Sequence, residues 1–256
     1  MFHASLPLIM GTRLDVLLFD DDKCWLETVW ARIEMELRRL EMMLNRFDSK
    51  SEVAKINNSA QFSEAQLSDE LWRIMLDCRQ YYEKTDGFFD VTHTSFEKIV
   101  FLEKTHGILF EKDGMMLDFG GYAKGYALKS IREKLNEAGI KPALVNFGNS
   151  SVLALGAHPY SDSWSIKIDN LTDVNEQPPI QLFDASLSVS GNTVACKKHV
   201  INPKTAEYII GDSMVAIVAK DPLDAEVLTT AWMASGCHNI PDWMSKFNLQ
   251  TSYRIK

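Results

Sequence analysis

Apolar positions change period several times along the chain, and each change marks an element. Over residues 12–20, TRLDVLLFD, branched and aromatic residues alternate with polar ones, which predicts a strand closed by the acidic turn Asp20, Asp21, Asp22. Over residues 25–44 the period lengthens. Leu26, Val29, Ile33, Leu37, Leu40 and Leu44 recur at steps of three and four, which predicts a helix. Ser51 and Glu52 open a short amphipathic segment that reaches Ile56. A longer helix is expected from Ser68, as its N-cap, to Lys84, with Leu71, Ile74, Met75, Cys78 and Tyr82 on its apolar face. TDGFFDVTH ends it. Residues 115–139 read as a strand-like run closing on Asp118, a corner at Gly120 and Gly121, and a helix stopped by Gly139. PALVNFG, SSVLALGA, SWSIKI, QLFDASLSVSG, HVINP and SMVAIVAK read as strands. DPLDAEVLTTAWMASG reads as a helix with Asp221 near its cap and Pro222 in its first turn, and the tail as a short helix and a last strand. Strands and helices do not alternate one for one. The expectation is therefore an α+β protein, residues 1–256 forming one unit without repeat, linker or low-complexity tract.

Composition narrows the function classes. A net charge of −8 and a pI near 5.3 argue against nucleic acid or an anionic membrane as the main partner. Cys24, Cys78, Cys196 and Cys237 are far apart and form no CxxC, so neither a metal cluster nor a disulfide framework is expected. The first residues hold no Lys or Arg ahead of a short apolar run, no small-residue cleavage site and no lipidatable Cys. No stretch reaches the length of a membrane span, and the expected location is cytoplasmic.

Four constellations carry chemistry. The Gly120–Gly121 corner leads into a helix and so offers backbone N–H groups at the positive end of a helix dipole, which suits a phosphate. Lys124 in that first turn is mildly unfavourable unless an anion lies nearby; a tight turn with a solvated lysine fits the same residues. The glycine spacing matches neither a P-loop nor a dinucleotide fingerprint. In AEVLTTA, Glu226 and Thr230 stand four apart on one helix face and offer hard oxygens of the kind Mg²⁺ or Ca²⁺ takes, although an exposed Glu and a back-bonding Thr fit as well. TDGFFDVTH joins a turn glycine to Phe88, Phe89 and Asp90, which also suits core packing after a helix stop. His199 in HVINPKT lies close to a proline turn, where a lone histidine is more often structural.

In chain order, the blocks IMGTRLDV, NRFDSKSEVAKIN, TDGFFDVT, LDFGGYAKGYAL, LVNFGN, SVSGN, HVINPKT and DAEVLTTAWMASG resemble the signature blocks of the ApbE-type FAD:protein FMN transferases, over about residues 9–236. The resemblance implies a fold related to the T-fold, in which antiparallel sheets carry helices on one side. It also implies FAD in a cleft with Mg²⁺ at its pyrophosphate, and transfer of the FMN half to a Ser or Thr hydroxyl of a partner protein with release of AMP. By the same resemblance Met10 lines the flavin site, Phe47 lies near the adenine or flavin, and Phe88, Phe89 and Asp90 form a wall. Asp118, Lys124 and Ile201 match FAD contacts. The carbonyl of Gly121, with Glu226 and Thr230, matches the metal ligands. His199, as base for the acceptor hydroxyl, and Lys124, on the pyrophosphate, are the catalytic candidates.

The chain departs from that pattern in places. Glu226 stands where the family usually has Asp; Asn202, Lys204 and Ala206 stand at the Asp, Arg and Gly of HIIDPRTG; and Lys129 stands at the Asp that usually ends KGYA.D. SVSGNTVACKKH and the stretch before LDFGG are shorter than usual. Two further readings stay open: a relative that holds FAD without turning it over, and a Mg²⁺-dependent FAD pyrophosphatase in which water replaces the acceptor.

Overall fold

The computed structural model describes residues 1–168, 178–191, 200–210 and 213–255. β1 (Phe2–Ile9) and β2 (Thr12–Leu18) pair antiparallel. Asp22 caps α1 (Lys23–Leu44), accepting from the Trp25 N–H at 2.9 Å, and Ser51 and Ser68 cap α2 (Glu52–Ser59) and α3 (Asp69–Lys84) in the same way. Between those two helices lies β3 (Ala65–Gln66), which joins β4 (Ile99–Leu102) and β5 (Gly107–Phe110) in a small sheet of order β3-β5-β4. α4 (Ala123–Glu137) leads into β6 (Ala143–Phe147), β7 (Ser151–Leu155) and a hairpin of β8 (Trp164–Ile166) with β9 (Ile180–Leu182). β10 (Ala185–Gly191) follows, then a short ribbon of β11 (Ile201–Asn202) and β12 (Glu207–Tyr208), then β13 (Met214–Ala219). Asp221 and Pro222 open α5 (Pro222–Ser235), and β14 (Leu249–Ile255) closes the fold.

The main sheet has seven strands in the order β1-β2-β6-β7-β10-β13-β14, and every neighbouring pair is antiparallel. Because strand side chains alternate, the sheet has two apolar faces. One face, with Leu14, Val16, Val145, Phe147, Leu153, Val215 and Ile217, packs against the helices in the principal core. On the other face, Val152, Ala154, Leu187, Ala216 and Val218 lie under Trp164 and Leu182 of the β8–β9 hairpin. This is the expected α+β arrangement, with the helices gathered on one side. α5 lies against β10, β13 and α4 and is buried on all sides. Tyr81 donates to Asp224 at 2.6 Å and Tyr122 to Asp77 at 2.9 Å, tying α3 to α5 and to the start of α4.

Two stretches differ from their sequence reading. Residues 115–118 belong to no helix or sheet. Their backbone is satisfied instead by a side chain and a loop: Asn57 both donates to the Leu117 carbonyl (3.0 Å) and accepts from its N–H (2.7 Å), and Asp118 N–H reaches the Val91 carbonyl at 2.7 Å. These bonds do what a ladder partner does, so the apolar run reads as a strand without being one. β1, by contrast, carried no strand expectation. Its register slips between Leu6 and Ile9, so these two buried residues stand three apart with exposed Pro7 and Leu8 between them. A bulge of this kind breaks period-two alternation. At the opposite edge, the β13–β14 pairing slips between Val218 and Ala219.

Cys24, Cys78 and Cys237 are free thiols, and Cys196 lies outside the described residues. Among the described residues, no helix is long and apolar enough to cross a membrane.

Candidate functional site

The site begins where α4 meets α5. A Cβ added at Gly125 would lie 2.7 Å from Glu226 Cβ, 2.9 Å from the Pro222 carbonyl oxygen and 3.0 Å from Leu223 Cα. One added at Gly121 would lie 2.8 Å from Thr230 Cγ2 and 3.0 Å from its Oγ1. Gly125 therefore lets the two helices touch backbone to backbone, and Gly121, just ahead of α4, lets the Thr230 side chain close on the corner. That contact sets the start of α4 directly against Glu226 and Thr230. Tyr122, at the N-cap, makes no side-chain cap, unlike Asp22, Ser51, Ser68 and Asp221 on the other helices; the Ala123 N–H turns back to the Phe119 carbonyl at 2.8 Å, and the Lys124 and Gly125 N–H groups are left without a capping side chain.

This corner forms one wall of a cleft of about 530 Å³, within the size range of small-molecule sites. The cleft is lined on one side by Phe88, Phe89, Asp90, His93 and Asp118. Gly120, Gly121, Lys124, Glu226 and Thr230 form the next wall, and Gly148, Ser150, Ser190, Gly191, Ile201 and Pro203 close it. Ten residues named from the sequence thus share one concavity: Phe88, Phe89, Asp90, Asp118, Gly120, Gly121, Lys124, Ile201, Glu226 and Thr230.

Glu226 is the one charged side chain among the described residues that is buried outright. Its Oε1 is paired with the Lys124 ammonium. Its Oε2 accepts from Ser151 Oγ at 2.6 Å and from Ser188 Oγ at 2.9 Å. The anion that a lysine in a first helical turn calls for is therefore supplied, in the free protein, by α5 itself. Thr230 donates to the Glu226 carbonyl at 3.1 Å, one turn back, as helical threonines do.

Asp118 is a second charged centre. His93 Nε2 and Arg46 Nε lie 3.1 and 3.0 Å from its Oδ2, and the Gly120 N–H donates to its Oδ1 at 2.9 Å. Burial pushes the carboxyl pKa up, but the His93 and Gly120 hydrogen bonds and the Arg46 charge outweigh it and hold the group below the usual carboxylate range. An ionised carboxylate only accepts, so His93 presents its Nε2 proton to Asp118. His93 is also a non-glycine residue at φ +71°, a conformation that collects at functional sites. A group whose folded pKa is depressed stabilises the fold above its unfolded value, about 4 for Asp, and loses that contribution as the pH falls through the folded value. The stability gap between the wild type and Asp118→Asn, followed by urea unfolding, is expected to be full at pH 6 and to close as the pH drops below about 4. A gap that is constant with pH would show that the ion pairs contribute nothing.

The remaining named residues sit differently. Asp90 lines the cleft, but its carboxylate is engaged by the Thr92 N–H and hydroxyl, both at 2.7 Å, and by the Phe96 N–H at 3.3 Å; it shapes the loop that carries His93. Burial raises its pKa against those bonds. Phe89 is mostly core, edge-on to Tyr81, while Phe88 lies 5.8 Å from the Lys204 ammonium. Met10 and Phe47 are not part of the lining. Met10 occupies the β1–β2 turn at φ +48°, its N–H donating to Glu41 at 2.8 Å. Phe47 is 82% exposed, 4.4 Å from the Arg46 guanidinium, and so reaches the site only through Arg46. His199 lies outside the described residues. The sequence reading did not single out Arg46, His93, Ser151 or Ser188, although Arg46 and His93 stand beside residues it did name.

The comparisons with known proteins agree on the kind of molecule. A curated protein of Klebsiella pneumoniae (strain 342), named FAD:protein FMN transferase, is 22% identical over 272 residues, covering 91% of this chain and 83% of that protein. The structure of the flavin transferase ApbE from Vibrio cholerae superposes with a TM-score of 0.76 at 18% identity, over 93% of this chain and 87% of that one. The ApbE protein of Thermotoga maritima superposes with a TM-score of 0.79 at 21% identity, over 95% and 89%. These structural likenesses show the fold. The model of the ApbE family matches residues 10–106 and 92–253, nearly the whole length, and the chain belongs to that family.

Proposed function

We propose that this chain transfers FMN from FAD to a Ser or Thr hydroxyl of a partner protein, in a Mg²⁺-dependent reaction that releases AMP. The observation that carries the reading is the meeting, in one cleft, of an uncapped glycine corner, the Lys124 ammonium and the oxygen donors of Glu226 and Thr230. In the reaction the acceptor oxygen bonds to the FMN phosphorus while the phosphoanhydride bond to AMP breaks. The bonding pair leaves on the AMP oxygen, and the hydroxyl proton passes to a base. His199 is the candidate for that base.

Phosphoryl transfer asks a protein mainly for positioning and for charge stabilisation. Lys124 and the Gly121 N–H of the corner suit the pyrophosphate, the Gly120 N–H being held by Asp118. Phe88 offers an apolar wall, and Asp118, ionised and held by Arg46 and His93, offers fixed acceptor capacity to a polar group of the ligand. A carboxylate, a hydroxyl and a backbone carbonyl are hard oxygens suited to Mg²⁺. One Glu226 oxygen keeps a lone pair after its bond from Lys124, and Gly121 lies against Thr230, so Glu226, Thr230 and Gly121 are fit to hold the ion. When bound, it supplies Lewis acidity and charge neutralisation at the pyrophosphate.

The test is incubation with FAD and an acceptor protein carrying a flavinylation Ser or Thr, in Mg²⁺ or in EDTA. AMP release together with an acceptor heavier by FMN, in Mg²⁺ alone, is expected. AMP with free FMN and an unlabelled acceptor would identify a pyrophosphatase. Retention of FAD without AMP would identify a flavin-binding protein.

A further inference from the structure

The Glu226 side chain spans from the start of α4 to the main sheet, and each carboxylate oxygen has its own partners. β7 and β10 pair with Ser151 directly opposite Ser188, and both serines lie on the sheet face that meets α5. The carboxylate reaches across to them, so that Oε2 receives two hydroxyl donors and both of its lone pairs are used. Oε1 receives one donor, the Lys124 ammonium, and keeps a lone pair. Ser188 Oγ also lies 3.2 Å from Thr229 Oγ1, whose single proton goes to the helix carbonyls of Ala225 and Glu226 at 3.0 and 2.9 Å, so the Ser188 proton is left for Glu226. Ser151, Ser188 and Thr229 are all buried, so water does not compete for these bonds.

We propose that Ser151 and Ser188 are positioning residues for Glu226: by holding Oε2 against the sheet they leave Oε1 as the single oxygen offered to a divalent cation in the cleft. This rests on the metal-dependent reading above and adds what lets a glutamate serve at this position. A carboxylate without such a hold can rotate about its last torsion and present either oxygen or both, whereas Mg²⁺ needs near-ideal octahedral distances. Two buried donors on one oxygen fix the plane of the group and withdraw that oxygen from coordination. A shorter aspartate at 226 cannot reach the serines while keeping an oxygen at Lys124, so in an aspartate background the two hydroxyls have no carboxylate to hold.

The experiment titrates Mn²⁺, detected by electron paramagnetic resonance, into full-length protein with and without FAD; FAD affinity is measured separately in EDTA. The variants are Ser151→Ala, Ser188→Ala, their double, and each of these combined with Glu226→Asp. Each serine replacement is expected to weaken Mn²⁺ about 5-fold and the pair about 30-fold, as the effect on the metal is indirect and only part of each lost hydrogen bond appears in its affinity, while FAD affinity in EDTA changes less than 2-fold. In the Glu226→Asp background the serine replacements are expected to cost less than 2-fold. Ser151→Thr, which keeps the hydroxyl, restores wild-type Mn²⁺ affinity. Ser188→Cys keeps the volume with a weak donor and reproduces the loss, so the comparison survives an alanine variant that fails to fold. Unchanged Mn²⁺ affinity in folded serine variants would overturn the proposal, as would an equal loss with glutamate and with aspartate at 226. A protein that takes up FAD but no Mn²⁺ would overturn it too and leave flavin binding standing. Serine-dependent Mn²⁺ uptake without FAD binding would support it and sink the flavin reading alone.

Discussion

Lys124→Met is expected to weaken FAD about 30-fold in EDTA while leaving riboflavin within 2-fold, and to destabilise the fold by about 3 kcal/mol. The binding term follows from a charge-assisted contact to phosphate, about 2 kcal/mol, that riboflavin never makes. The stability term has a separate origin. Removing one partner of a buried ion pair leaves the other charge uncompensated, at about 3–5 kcal/mol. The lower end applies because the Lys124 side chain is 20% exposed and water can partly replace it, whereas Glu226 is 4% exposed. The two effects part company in the double variant Lys124→Met with Glu226→Gln. Stability should return to within about 1 kcal/mol of wild type because no buried charge remains, while FAD affinity stays low. Urea unfolding and fluorescence titration read the two effects independently. Equal loss of FAD and riboflavin would refute the pyrophosphate assignment of Lys124, and an additive double variant would refute the pairing.

Gly125→Ala is expected to cost about 3 kcal/mol and to lower metal affinity with it. Two of the three atoms that a Cβ would meet at 3.0 Å or less, the Pro222 carbonyl oxygen and Leu223 Cα, are backbone, so α5 as a whole has to move. Overpacking of this sort costs about 1–3 kcal/mol, and the upper end applies where no side chain can turn aside. Moving α5 carries Glu226 and Thr230 away from Gly121. Gly120→Ala is the matched control. Its added Cβ would meet nothing nearer than Asp118 Oδ1 at 3.2 Å, and it should stay within about 1 kcal/mol of wild type. If Gly125→Ala proves as stable as Gly120→Ala, the close crossing of α4 and α5 does not govern the site.

Much of the fold was legible because its helices announce themselves. Ser51, Ser68 and Asp221 each cap a helix at the position their spacing indicates, Asp22, read as part of an acidic turn, caps α1, and Gly236 closes α5 in the left-handed conformation. What escaped had physical reasons. β1 was missed because a bulge destroys the alternation that identifies strands. Residues 115–118 imitate a strand because Asn57 replaces a neighbouring chain. At the site, ligand-facing types such as Lys124, Glu226 and Asp118 could be named, but their partners could not. SLSVS in β10 alternates perfectly well, and alternation separates two faces without saying which one is covered by α5. Serines on a strand read as solvent-facing, yet Ser188 points at the buried Glu226 carboxylate and Leu187 at the hairpin. Arg46 and His93 converge on Asp118 from residues 72 and 25 positions away along the chain, a meeting that only the fold creates.

The two slipped registers have a consequence for how copies of this molecule behave at high concentration. β1 and β14 are the open borders of the main sheet, where unpaired backbone groups invite a neighbouring chain to add on. Each border pairs with its inner neighbour across a register slip, and at β1 the slip coincides with Pro7, which has no N–H to donate. A strand from another molecule laid along that border meets a bend and a missing donor rather than a flat, continuous row. The bulge that hid β1 from its sequence thus also opposes sheet-to-sheet growth, the route by which antiparallel proteins aggregate.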